Sequence, residues 1–213
     1  MKPRMDGCVV RAWRRARRPS PTGVAMNAVL DQHERAMRGF AEHVHQVRPD
    51  QWSLPTPDTE WDVRALVNHL TSEQLWVPAL MSGQTPAGVG DAFAGDVLGD
   101  DPVAAWDAAA ESARAAFADA GALARGVTLS YATVDGERYC REMTSDLLIH
   151  SWDLARAIGA DETLDPELVH DIHERLLPMA GMLAASGMFA PAVEVDADAD
   201  EQTRLLALLG RKA

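Results

Sequence analysis

Apolar residues recur along this chain at helical spacing, and proline, glycine and acidic residues punctuate the runs. Val29, His33, Met37, Phe40, Val44 and Val47 fall at that spacing and predict a first helix over residues 26–48, closed by Arg48-Pro49. Ser53-Leu-Pro-Thr-Pro-Asp58 is a turn-rich connection. Thr59-Glu-Trp-Asp62 has the form of a capping box, with a Thr oxygen for the first turn and an acid three residues on. The second helix follows with Val63, Leu66, Val67, Leu70, Trp76 and Leu80 apolar, and Pro78 is placed to kink it late.

Met81–Asp100 is rich in Gly and Asp and reads as a long loop, a type of segment that often carries function. Asp101-Pro102 opens a third helix, Asp as N-cap and Pro in the first turn, which runs along an Ala-rich face to about Ala120. Residues 126–136 are β-branched and turn-like, consistent with a short extended piece. The fourth helix spans about Glu137 to Ile158 and ends at Gly159. Asp165-Pro166 begins a fifth helix to about Ser186, and a short sixth covers Glu201–Leu209, ending at Gly210. The pattern predicts an all-α protein: a four-helix bundle over residues 26–213 with short C-terminal helices.

Composition narrows this picture. No apolar run approaches the ~18 residues of a membrane span, so no membrane partner is expected. Two cysteines, Cys8 and Cys140, make no disulfide framework and fit a reducing cytoplasm. The net charge of −12 is uneven. Residues 1–25 hold seven Lys/Arg and one Asp, giving +6, which leaves −18 for the remainder. An acidic domain of that kind is a poor nucleic-acid binder. The basic stretch itself, with Arg14-Arg15-Ala-Arg17-Arg18, has no sustained helical period and no apolar h-region after it. It reads as a disordered leader, with Met26 as the natural start of the domain.

Candidate chemistry lies on two of the predicted helices. Asp146 and His150 project from one face of the fourth, alongside Met143, Leu147 and Leu154. A carboxylate and an imidazole on a core-facing stripe need a compensating partner, and a metal ion is one. His69, between Leu66 and Leu70 on the second helix, would add a third ligand. Bundle cores recurrently hold metals between facing helices, and two histidines with one carboxylate suit Zn(II), with Ni(II) and Fe(II) as alternatives. A hydrogen-bonded core triad without metal is the competing reading of the same residues. Glu73 follows His69 on its stripe as a fourth ligand, a catalytic base or a solvated acid. Asp153 can accept the other imidazole N–H of His150 or pair with Arg156. Trp76 and Trp152 can wall a pocket or sit in the core, Cys140 reads as a small core residue, and the acid-rich Asp91–Asp107 lacks the oxygen spacing of an EF-hand loop.

The phrases Pro55-Thr-Pro-Asp-Thr-Glu-Trp-Asp-Val-Arg-Ala-Leu-Val-Asn-His69 and Asp146-Leu-Leu-Ile-His-Ser-Trp-Asp-Leu-Ala-Arg-Ala157 resemble actinobacterial metal-binding proteins of the DinB/YfiT-like superfamily. They are similar to the metal-binding domain of mycothiol-dependent maleylpyruvate isomerase, and Gly95–Pro102 and Thr203–Arg211 fit the same group. The resemblance implies a metal triad of His69, Asp146 and His150, and a DinB-like bundle. It further implies a metal-dependent thiol (mycothiol) S-transferase or isomerase acting on a small electrophile, or else a bundle that holds metal or ligand without turnover. In that enzyme Glu73 would be the catalytic residue that moves a proton. Two departures stand out: relatives commonly carry Glu where this chain has Asp146, and many carry Cys where it has Asp58. Expected partners are a small-molecule thiol and an electrophilic substrate, and a homodimer is compatible with the sequence.

Overall fold

The computed structural model describes residues 21–58, 61–186 and 190–213. Helices α1 (Pro21–Val44), α2 (Val63–Met81), α4 (Pro102–Ala118) and α5 (Gly136–Ile158) are the long elements. α1 packs along α5 and α2 along α4, and contacts of α1 with α4 and of α2 with α5 close the ring into a four-helix bundle. Its centre is apolar: Phe40, Leu66, Leu70, Trp106, Phe117, Leu147 and Leu154 are buried. Phe40 and Trp106 meet with ring centroids 4.7 Å apart, a contact worth about 0.5–1.5 kcal/mol beyond burial. The fold is all-α and DinB-like, and among the described residues it carries one two-stranded hairpin, β1 (Gly126–Thr128) against β2 (Thr133–Asp135).

The punctuation residues act as their chemistry dictates. Asp101, Asp135, Asp165 and Asp200 each accept a backbone N–H in the first turn of the helix they precede. Such a cap contributes about 1 kcal/mol. α5 ends at Gly159 as expected.

Several boundaries differ from the sequence reading. α1 begins at Pro21, upstream of Met26, and ends at Val44, a turn before Arg48-Pro49. Most of the basic leader falls on residues outside those described. The capping-box Thr59 also lies outside them; α2 is capped instead by Asp62, whose carboxylate accepts from Ala65 N, so the helix begins after the box. α2 continues as helix through Pro78. The long loop contains a turn of helix, α3 (Pro86–Val89), which starts at Thr85-Pro86 by the same cap-plus-proline logic. It is also tied down: Asn68 donates to Gly95 O and accepts from Val97 N, and Ser72 donates to Phe93 O. The expected fifth helix is broken. α6 (Pro166–Leu176) gives way to a 3₁₀ turn at Leu177–Met179, where Pro178 lacks the N–H a helix needs, and α7 (Ala180–Ser186) follows. α8 (Glu201–Leu208) packs on α6.

Candidate metal centre

α2 and α5 run side by side, and the stripe that each turns toward the other carries the three predicted residues. His69 Nε2 stands 3.4 Å from Asp146 Oδ2, and His150 Nε2 stands 3.5 Å from Asp146 Oδ1. One ligand atom from each of His69, Asp146 and His150 falls within 4.8 Å of the others. Among the described residues this is the cluster of His, Cys, Asp and Glu compact enough to hold an ion. Asp146 is a short carboxylate, yet its two oxygens reach both imidazoles.

The donor set fits a metal on two counts. One ligand atom from each residue lies within 4.8 Å of the others, near enough for small side-chain adjustments to reach the about 3.3–3.4 Å between ligand atoms of a tetrahedral site with bonds of about 2.0–2.1 Å. The second count is hydrogen-bond direction. His150 Nδ1 lies 2.9 Å from Asp153 Oδ2. Asp153 is fully buried and also receives Arg211 Nη2 at 2.8 Å, which keeps it a carboxylate that can only accept. His150 therefore donates from Nδ1, and in its neutral form turns the Nε2 lone pair toward Asp146 Oδ1, another acceptor. Two acceptors facing each other call for a proton or a metal cation between them.

The electrostatics follow from this crowding. For Asp146, burial favours the neutral acid, but the His150 and His69 imidazoles and more distant Arg211 outweigh it and hold the carboxyl below the usual range. For His69, burial favours the neutral ring, but the Asp146, Glu73 and Asp58 carboxylates outweigh it and raise its pKa. Glu73 is pushed up by burial and by the neighbouring Asp146 charge, against the pull of His69. A carboxyl that holds its proton more readily than a free Glu, beside the clustered imidazoles, is a candidate proton-transfer group.

His69, Glu73 and Asp146 line one wall of an open cavity of about 540 Å³, with Trp76, Leu80, Tyr131, Tyr139 and Met143 among its other walls. Trp76 thus walls the pocket, packed edge-on against Phe93, whereas Trp152 is core with Arg156 over its ring. Asp153 takes His150 and Arg211, while Arg156 pairs with Glu162. Cys140 is a buried core thiol whose pKa burial pushes up to about 12, which keeps it protonated and inert.

Trp61 is a site residue that sequence reasoning missed. Its ring lies 4.5 Å from that of His69 and 5.7 Å from that of His150. The chain before α2 places it there: the Pro55–Asp62 bridge and the bonds Thr56 N→Trp61 O and Trp61 N→Asp58 O fold the segment back over the helix start. An aromatic residue just before a cap was the available signal.

Residues 33–155 match the family described as the mycothiol maleylpyruvate isomerase N-terminal domain. The chain belongs to this family. The match covers α2 and all but the last residues of α5, and so all three clustered residues. Two relatives, both named as uncharacterized proteins, come from Mycobacterium tuberculosis strains CDC 1551 / Oshkosh and ATCC 25618 / H37Rv. Each is 36% identical over 141 residues, 65% of this chain and 72% of its own. No solved structure matches the chain significantly. No helix among the described residues is long and apolar enough to cross a membrane.

Proposed function

We propose that the protein is a metal-dependent thiol S-transferase or isomerase that uses mycothiol, or a closely similar small thiol, against a small electrophile. The observation that carries this reading is the openness of the donor set. Three ligands cluster, Glu73 stands outside them on the pocket wall, and His69 and Asp146 face the cavity. Three protein ligands with a free position mark catalytic metal sites, whereas a closed shell of four marks structural ones.

His69, Asp146 and His150 would hold a divalent transition metal, Zn(II) first and Ni(II) or Fe(II) as alternatives. Once bound, it would supply a Lewis-acidic centre that favours the thiolate form of the cofactor at neutral pH. Glu73 takes the thiol proton as general base. The sulfur then bonds to the electrophilic carbon, either as a C=C π bond opens and Glu73 returns the proton to the neighbouring carbon, or as the bond from carbon to the leaving group breaks and the departing group takes that proton. Trp61 packs against the His69 ring and fixes its plane. The aromatic walls Trp76, Tyr131 and Tyr139 hold the electrophile and keep bulk water from it.

The pocket lining also bears on which substrate charge is tolerated. Glu73, Glu142 and Asp146 line it, and no Arg or Lys does among the described residues. An uncharged electrophile meets less repulsion here than a dicarboxylate such as maleylpyruvate. Dependence on a reduced small thiol suits a cytoplasmic protein.

The test is consumption of mycothiol by the Zn-loaded protein with an uncharged electrophile, monochlorobimane, followed by adduct fluorescence. Metal-dependent turnover above the uncatalysed rate is expected. Stoichiometric metal without turnover of any thiol would leave a metal-holding bundle instead.

A further inference from the structure

We infer that Arg211, at the C-terminal end of the chain, is a positioning residue of the metal centre, acting through Asp153 on His150. The inference rests on the metal reading above. Arg211 lies beyond residues 33–155, so the family match assigns it nothing.

The sequence dictates how Arg211 arrives. α8 ends in a Schellman arrangement, with Arg211 N bonded to Leu206 O at 2.9 Å and Gly210 N to Ala207 O at 3.0 Å. Gly210 has φ +82°, in the left-handed region, and a Cβ there would sit 2.6 Å from Ala190 Cβ and 2.7 Å from Ala190 O. Only glycine fits that turn, and the turn sends the next side chain inward. The Arg211 side chain is 9% exposed although only two residues follow it in the sequence. The adjoining backbone is clamped as well: Arg156 of α5, stacked on Trp152, donates to Lys212 O.

Once inside, Arg211 divides its donors between two acceptors. Nη2 donates to Asp153 Oδ2 at 2.8 Å, Nε approaches Oδ1 at 3.3 Å, and Nη1 donates to Leu209 O at 3.0 Å. Asp153 is 0% exposed, so an unneutralised carboxylate would be costly there. The guanidinium fork fixes the plane of Asp153, and Asp153 fixes the His150 ring through Nδ1 at 2.9 Å. The far nitrogen of that ring is the one facing Asp146 and the candidate metal position. One leg of the centre is thereby supported by a residue 58 positions further on than the carboxylate it holds.

The experiment compares Arg211→Ala and Arg211→Lys with the parent in full-length chain. Zn(II) affinity is read by chelator competition, together with the visible d–d spectrum after Co(II) loading. Arg211→Ala is expected to weaken Zn(II) about 10–100-fold and alter the Co(II) spectrum, with recovery on adding millimolar guanidinium. Arg211→Lys, which keeps the charge but not the fork, is expected to fall between, and it covers the case in which alanine fails to fold. A ring ¹H–¹⁵N spectrum of the metal-free proteins is the second readout: parent His150 holds its proton on Nδ1, and Arg211→Ala loses that fixed tautomer. Unchanged Zn(II) affinity with an unchanged His150 tautomer in both variants would overturn the inference. A parent that takes up no metal would defeat the metal reading, and the metal-free spectra alone would then decide whether Arg211 positions His150.

Discussion

Asp146 Oδ2 of α5 lies 3.4 Å from His69 Nε2 of α2, so the one carboxylate of the cluster bridges two helices of the bundle. Without metal this is an ion pair whose two partners titrate in opposite senses. Asp146 has a lowered folded pKa, so its contribution is full above its ordinary value of 3.8 and is lost as pH falls through the lowered value. His69 has a raised folded pKa, so its contribution is full below 6.5 and is lost as pH rises through the raised value. Metal-free protein should therefore draw most from this pair between those two ordinary values. Asp146→Asn should lower the thermal midpoint most within that window and less at pH values below and above it, as a pH series of melts would check.

Metal uptake should run the other way with pH. A ligating imidazole must be neutral, and the carboxylates around His69 hold its proton on. Zn(II) affinity is expected to rise through neutral pH with proton release, which calorimetry in buffers of different ionisation enthalpy would measure. Affinity flat from pH 6 to 8 would count against His69 as a ligand.

Glu73→Gln separates ligand from base. Its carboxyl lies outside the ligand cluster and has a raised pKa from burial and Asp146. The variant should keep its metal and lose about 10²–10⁴-fold in turnover with mycothiol and monochlorobimane. Loss of the metal instead would make Glu73 a fourth ligand.

Gly136 opens α5, and a Cβ at this position would come 2.3 Å from Ala122 O. Backbone has to move to admit it. Gly136→Ala should destabilise the fold by about 1–3 kcal/mol, measured by urea unfolding, and by shifting the start of α5 should disturb the pocket wall at Tyr139 and Glu142.

The bundle was readable because its signals are local. Asp-Pro at 101–102 and 165–166 and the glycine after Ile158 mark helix ends through hydrogen bonds made within a few residues. The stripe of Leu66, His69 and Leu70 and that of Asp146, Leu147 and His150 likewise report their faces directly, and the geometry brought those faces together. Contacts between distant segments left no such trace. Nothing about Arg211 in sequence announces that it will meet Asp153, and the choice between His150 and Arg156 as the partner of Asp153 could be made only once α8 was placed. Trp61 belongs with these, since a fold-back of the chain before α2 sets it on His69. The missed break at Pro178 was a local signal that the apolar period of the fifth helix overrode.

The central claim is the metal triad, and metal content tests it most directly. Purified parent and His150→Ala should be reconstituted with Zn, Ni and Fe and assayed by inductively coupled plasma mass spectrometry. The account predicts about one equivalent of a transition metal per chain in the parent and a loss of it in the variant, because His150 would supply one ligand of the three-residue cluster. No metal in either protein, or equal metal in both, would contradict it and leave His69, Asp146 and His150 as a hydrogen-bonded core.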